Sequence, residues 1–268
     1  MTSEEVLVVA KMLGLEDFLP LAQTFKGFND VELIESDFPF VQNREETEKL
    51  WKKHLELFPD DFDGSLGSVV SFSFSGKKLI IKYRKAKFSE YCVTQRPKTL
   101  DINDCFNYCL PLSFGAVATT KPTRDSEEGY IIFAERGNTA FDNGRITTLP
   151  GGYFDPEQDC NFKNIILREC LEELHTRPSK IKFMGVIYNR EGSRQPLVAV
   201  HLKLPFTAEQ MEEVINNRER EKEIGRLFFV ENNAFAVHDF IAEEARQGKT
   251  LAIHDAWKLI LYFSDTYN

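Results

Sequence analysis

Arg168-Glu169-Cys170-Leu171-Glu172-Glu173 places three carboxylates and one guanidinium in six consecutive residues. On a helix, residues three and four apart share a face, so Glu169, Glu172 and Glu173 project together. Ile166, Leu167, Cys170, Leu171 and Leu174 then form an apolar stripe on the other side. Carboxylates this close repel one another and raise one another's pKa unless a cation sits among them. Hard divalent ions take oxygen ligands, and magnesium favours one or two carboxylates plus substrate phosphates. The chemistry these residues suggest is metal-assisted attack on a phosphate, with Mg2+ as the ion and Mn2+ as the alternative. Arg168 could hold a glutamate in place or contact a phosphate. Just upstream, Pro150-Gly151-Gly152 reads as a turn. Its glycines let the backbone come close to metal or phosphate, and positive φ is the ordinary reason for such a pair.

The rest of the pattern supplies elements to position that run. Residues 3–13 read as a short helix with Gly14 as its stop, and residues 15–42 carry no clear period. A second helix opens at Asn43 and Glu46, puts Leu50, Trp51, His54, Leu55 and Phe58 on one face, and ends at Pro59. Val69–Phe74 and Leu79–Tyr83 are runs joined by Ser75-Gly76, a hairpin signal. Asp101–Leu110 reads as a further short helix. Strand-like runs follow at Phe114–Thr119, Tyr130–Ala134 and Ile146–Leu149, then, after the acidic helix, at Ile181–Tyr188 and Leu197–Leu204. Thr207 and Gln210 cap a charged helix expected to run to about Lys222 and stop at Gly225, before a strand at Leu227–Val230. Helices at Asp239–Gln247 and about His254–Phe263 finish the chain. Strands around an acidic helix, with helices behind, make a layered α/β fold.

Composition narrows the class. The chain has 268 residues, 42% of them hydrophobic and 23 of them phenylalanine, enough for a large core. A net charge of −9 argues against nucleic acid as the main partner, because phosphate-backbone contacts need clustered Lys and Arg. The five cysteines, Cys92, Cys105, Cys109, Cys160 and Cys170, lack zinc-ligand spacing and suit a reducing compartment. The acidic N-terminus is unlike a signal peptide, and no apolar run reaches membrane-span length. The expectation is a cytoplasmic protein with no membrane and no nucleic-acid partner.

The segment Leu149–Thr176 resembles the signature of the Nudix hydrolases: Gly, five residues, Glu, seven residues, then Arg-Glu-U-X-Glu-Glu-X-Gly-U, where U is aliphatic. Pro150, Gly151, Gly152, Arg168, Glu169, Glu172 and Glu173 match by type, with Cys170 in the first U place. Two extra residues separate Gly152 from Arg168. The upstream acid falls on Glu157 when counted from Gly151, and on Gln158 when counted from Gly152. His175 stands where the family has Gly, and Thr176 replaces the last aliphatic.

The resemblance implies an α/β/α sandwich with a mixed sheet over residues 111–268, preceded by an N-terminal α+β region, residues 1–110. It implies Glu169, Glu172 and Glu173 as metal ligands and catalytic groups with Arg168, and Gly151 and Gly152 beside the substrate. A further acid is looked for at Glu157, the motif's upstream place, and outside the motif at Glu221, Glu223 or Glu231. A looser likeness runs through Phe62-Asp63-Gly64, the hairpin, Phe88-x-x-Tyr91, LSFGAVATT and Gly225-x-Leu227-Phe228-Phe229-Val230-Glu231. It resembles the branch that cleaves UDP-glucose and UDP-galactose to UMP and sugar 1-phosphate. On that likeness residues 1–110 are a substrate-recognition cap, and Phe88 and Tyr91 stack on the base. The alternatives are a hydrolase of ADP-ribose, a dinucleotide or coenzyme A, and a catalytically silent nucleotide-binding module, which the displaced acid and His175 keep in view. The resemblance also implies a homodimer, for which the sequence itself shows no feature.

Overall fold

A computed structural model of the chain describes residues 3–38, 44–59, 61–94, 109–137, 144–189, 195–216 and 224–266. Its helices are α1 Ser3–Leu13, α2 Arg44–Leu57, α3 Phe88–Thr94, α4 Phe162–Glu173, α5 Ala208–Asn216, α6 Ala234–Arg246 and α7 Ile253–Thr266. Its strands are β1 Ala22–Phe25, β2 Asp30–Glu35, β3 Ser65–Ser75, β4 Lys78–Lys87, β5 Ser113–Thr119, β6 Tyr130–Arg136, β7 Ile146–Thr148, β8 Gly151–Tyr153, β9 Lys180–Asn189, β10 Pro196–Lys203 and β11 Ile224–Glu231. A 3₁₀ turn, Glu16–Leu21, joins α1 to β1.

The larger sheet runs β1-β9-β10-β5-β6-β11, with β7 hydrogen-bonded to β6 and β8 to β5. It is mixed: β10 and β5 are parallel, and the remaining pairs are antiparallel. Period-two alternation sends the side chains of each strand to two cores. Phe114, Ala116, Ala118, Val198, Val200 and Leu202 face one core together with Phe162, Ile165, Ile166 and Cys170 of α4 and Met211 and Ile215 of α5. Val117, Leu197, Ala199, Ile131 and Phe133 face the other, with residues of α1, α6 and α7. This is the layered α/β architecture the pattern led to.

Residues 255–264 of α7 are all buried, because the helix is enclosed by the sheet, α1 and the 3₁₀ turn. No helix among the described residues is long and apolar enough to cross a membrane.

The smaller sheet, β2-β4-β3, holds the expected hairpin, with Gly76 at φ 59° in its turn. Pairing crosses the boundary expected near residue 110. β1 is hydrogen-bonded to β9, α1 packs on α6 and α7, and Trp257 Nε1 donates to the Phe18 carbonyl. Four residues of unremarkable pattern, 22–25, thus complete an edge of the large sheet. Residues 30–94 form the N-terminal unit with its own sheet, which meets the larger one where Leu112 N donates to the Gly67 carbonyl at 2.8 Å and Gly67 N to the Phe154 carbonyl at 2.9 Å.

Two further expectations are corrected. Gly225 lies inside β11 rather than at a helix end; a Cβ there would meet the Glu135 carbonyl, and the register shifts at this point, so the glycine serves a close backbone approach. α6 starts at Ala234, capped by Asn233, whose side chain accepts from Ala236 N at 2.8 Å. The segment after Phe88 is helical, α3. The helix expected at Asp101–Leu110 falls mostly outside the described residues, as does the end of the charged helix near Lys222.

Candidate active site

β5 and β6 pair only at Thr119 and Ile131 and diverge from there. The opening is filled by β7 and β8, each bonded to one lip, so the backbone from Ile146 to Tyr153 lies inside the sheet rather than in a surface turn. Gly151 and Gly152 pair with Gly115 and Phe114 and are strand residues. Neither has positive φ, which corrects the turn reading. Their small size matters for another reason. A Cβ on Gly152 would collide with the carboxylate of Glu169, and Gly151 N donates to Glu173 Oε2 at 3.1 Å. The glycine strand is therefore the seat of two carboxylates from α4.

α4 begins where Asn161 accepts from Asn164 N at 3.1 Å. It ends where Leu174 N and Thr176 N both donate to the Cys170 carbonyl, with His175 in the left-handed region at φ 52°. A glycine at this place would carry no penalty for that φ, which is the physical sense of the family's preference. His175 Nδ1 lies 3.2 Å from the Leu171 carbonyl, a helix-end interaction.

The helix buries Phe162, Ile165, Ile166 and Cys170, and with them Glu169 (9% exposed) and Glu173 (7%). Leu171, expected in the apolar stripe, is 41% exposed. The buried face is turned toward the acids because the glycines leave room there. The Glu172 side chain is 43% exposed. Burial, then the charges of Glu173 and Glu169, pushes the Cys170 thiol up to about 12, so it stays neutral between them.

The cation among the carboxylates is Arg168. Its Nη1 donates to Glu169 Oε1 at 2.7 Å and to Glu172 Oε2 at 3.1 Å. Its Nη2 donates to the Tyr153 carbonyl at 3.0 Å and Asp159 Oδ2 at 3.1 Å, and its Nε to Asp159 Oδ1 at 3.3 Å. A guanidinium has five N–H donors, and these five bonds match that number, so the role left for Arg168 here is positioning glutamates rather than contacting a phosphate. Burial works against its charge, but the bond to Asp159 and the charges of Glu169, Asp159 and Glu172 outweigh it and hold the guanidinium above its ordinary pKa.

Asp159 is the residue the sequence reading passed over. The tight turn Asp155–Asp159 points Glu157 and Gln158 outward and Asp159 inward, where its buried carboxylate also accepts from Asp155 N at 3.1 Å. Both candidates for the upstream acid are thus exposed. The available signal was an acid nine residues before Arg168 in a loop of turn-forming residues. Glu221 and Glu223 lie outside the described residues. Glu231, at the end of β11, bonds to Asn233 Nδ2 and borders the far end of the sheet.

The N-terminal motifs converge. Phe88 N donates to the Gly64 carbonyl at 2.9 Å and Ser89 N to Asp63 Oδ1 at 2.7 Å, which joins Phe62-Asp63-Gly64 to α3. Tyr91 is 2% exposed; its ring packs on Phe88 and Tyr153, and its hydroxyl donates to Gln195 Oε1 at 3.1 Å. Its ring is packed into the protein and is not open to a base as placed. Phe88, half-buried, also contacts Trp51, His54 and Tyr153. Tyr153 follows Gly152 on β8, so its ring points to the opposite face of the strand from Glu169. The cluster is tied to the acidic corner through the Tyr153 carbonyl, which accepts from Arg168 Nη2.

On the opposite face of the split, α7 supplies a buried pair unanticipated from sequence. Asp255 Oδ1 accepts from Lys258 Nζ (2.7 Å), Thr148 N (2.9 Å) and the hydroxyls of Thr147 and Thr148 (3.1 Å each). Burial alone would raise the Asp255 pKa; Lys258 and the Thr148 and Thr147 bonds outweigh it and lower the pKa. The pair completes the hydrogen bonding of β7 where the sheet has parted.

Among the described residues no three His, Cys, Asp or Glu side chains converge as they would around a metal. The donor set still fits magnesium: Glu169 and Glu173 are hard oxygen ligands seated against a Cβ-free strand, and this ion needs no more than two carboxylates when phosphate oxygens supply others.

No protein-family model matches the chain, and no curated protein matches it. Among solved structures, it is similar to the Nudix domain of Shewanella oneidensis NrtR, complexed with ADP ribose, at 14% identity over 63% of this chain and 94% of that one, TM-score 0.40. It is similar to the MutT protein of Methanosarcina mazei Go1 at 17% identity over 59% and 94%, TM-score 0.37. The protein Tm1382 matches at 10% identity over 79% and 94%, TM-score 0.42. Likenesses this distant carry nothing about chemistry, which rests on the side chains of this chain.

Proposed function

We propose that the protein is a divalent-metal-dependent hydrolase of a small phosphoanhydride, with a nucleoside diphosphate linked to a sugar as substrate. The observation that carries the reading is the seating of Glu169 and Glu173 against Gly152 and Gly151 while Arg168 ties Glu169 to Glu172. Glu169 and Glu173 would hold the ion. When bound, Mg2+ neutralises diphosphate charge and lowers the pKa of its water. Glu172, the exposed carboxylate, takes the proton of the attacking water, and Arg168 fixes its direction. Asp159 keeps the guanidinium in place.

UDP-glucose or UDP-galactose is the substrate this reading favours. It is supported by the junction of Phe62-Asp63-Gly64 with α3 and by the aromatic cluster beside Tyr153. Residues 30–94 then act as the cap, with Phe88 as its half-buried aromatic.

The test is release of nucleoside monophosphate from UDP-glucose, UDP-galactose, ADP-ribose, a dinucleotide and coenzyme A with Mg2+. UDP-hexoses are expected to be cleaved best, and Glu172→Gln to lower kcat by about 10²-fold or more with an unchanged melting temperature. Cleavage of ADP-ribose alone would transfer the reading to that substrate. Nucleotide binding without cleavage of any compound would make the protein a binding module.

A further inference from the structure

A cavity of about 370 Å3 opens at the other end of the sheet from the acidic corner, where the carboxyl ends of the parallel strands β5 and β10 meet the start of β9 beside the end of α7. Its volume is in the range of small-molecule sites, and the carboxyl ends of parallel strands are where layered α/β folds commonly bind ligands.

The register explains its charge. Lys203 lies directly opposite Lys180, and His201 directly opposite Lys182. Residues two apart on a strand share a face, so Lys180, Lys182, His201 and Lys203 form one patch, and Lys121, just beyond β5, adds a fifth basic residue to the lining. Like charges directly opposite each other destabilise a sheet. Asp265 compensates part of this, pairing with Lys182 at 3.4 Å and with Lys26 at 3.1 Å. Among the described residues no carboxylate lies within 4 Å of the ammonium groups of Lys121, Lys180 or Lys203. Four lysines and two carboxylates, Glu128 and Asp265, line the cavity, a positive excess on a chain of net charge −9.

The floor is polar without added charge. Thr119 Oγ1 lies 2.9 Å from His201 Nε2, and the His201 ring packs on Tyr262. Burial first, then Lys203, Lys182 and Lys180, lowers the His201 pKa to about 4 against the opposing pull of Asp265, so the ring is neutral at pH 7.

We propose that this cavity binds a phosphate dianion, carried by a small phosphomonoester or free as inorganic phosphate, between Lys121, Lys180 and Lys203. Separate ammonium groups recognise phosphate as point charges, whereas a planar carboxylate is best matched by the guanidinium fork, which the lining lacks. The site is separate from the acidic corner and needs no divalent ion.

The test uses the full chain with EDTA at constant ionic strength, titrated with inorganic phosphate, with UMP and with acetate, reading the ring nitrogens of His201 by NMR. A saturable shift with phosphate or UMP, a Kd below about 1 mM and a rise in the His201 pKa are expected. A Lys180→Ala/Lys203→Ala double variant should weaken binding by about tenfold or more, while Lys52→Ala leaves it unchanged. Tighter binding of UMP than of phosphate assigns the site to a phosphomonoester, and the reverse order to the free ion. Three results each overturn the proposal: no saturation by about 20 mM, an acetate response equal to that of phosphate, or an unchanged Kd in the folded double variant.

Discussion

The two ends of β5 handle like charge in opposite ways. At its start, beside Gly115 and Gly151, carboxylates crowd together, and Arg168, anchored by Asp159, sits between them with every donor used. At its end, beyond Thr119, lysines face one another across β9 and β10, and Asp265 answers only part of their charge. The bonds of Arg168 hold the carboxylates in fixed directions, but one cation faces the four carboxylates of Asp159, Glu169, Glu172 and Glu173, so negative charge is left over for a cation from solution. A cluster left unmatched gains stability from whatever ion comes to it from solution. The same −9 chain thus carries an acidic corner that is internally braced and a basic cavity that is not.

The largest effect is expected under the braced end. Asp255→Ala leaves Lys258 buried and β7 without its acceptor, and should cost about 3–5 kcal/mol in urea unfolding. A loss below about 1 kcal/mol would mean the pair is not what holds the split sheet together. Arg168→Ala, which strands Asp159, Glu169 and Glu172, should cost about 2–3 kcal/mol, smaller because the cluster is partly open to water.

At the other end the expected pH response comes from His201. Its folded pKa of about 4 lies below its ordinary value of 6.5, so the unfolded chain binds the proton more readily. The stability that depends on a neutral ring is present above pH 6.5 and declines as the pH falls toward 4, by on the order of 2 kcal/mol for this group. His201→Gln should flatten that part of the stability–pH curve, and an unaltered curve would show the ring is not held neutral. Smallest of all, Lys203→Ala should shift stability by no more than about 0.5 kcal/mol, toward greater stability, because it relieves the repulsion from Lys180. A clear loss in melting temperature would show that Lys203 is already paired and would erase the contrast between the ends.

Much of this was legible in the residues. The hairpin around Gly76, the strand-like runs of β5 and β10 and the capping of α5 follow from local composition and turn chemistry, and Thr207 and Gln210 do exchange the expected bonds. The acidic helix was legible for the same reason, since i and i+4 neighbours are fixed by helix geometry alone. What escaped depends on partners far along the chain. Leu171 reads as core yet is exposed, and Glu169 and Glu173, read on the face opposite the apolar stripe, are buried with it, because the face α4 presents is chosen by the glycines of β8.

Sequence by itself determined most of the helices and strands, and that Arg168, Glu169, Glu172 and Glu173 would lie within one another's reach, since these depend on contacts a few residues apart. Only the tertiary structure decided that Gly151 and Gly152 are strand rather than turn, that Asp159 and not Glu157 meets Arg168, and that residues 22–25 join β9. It alone brought Lys180 opposite Lys203. Register and sheet order are set by burying two cores at once, a condition on the whole chain that no single stretch contains.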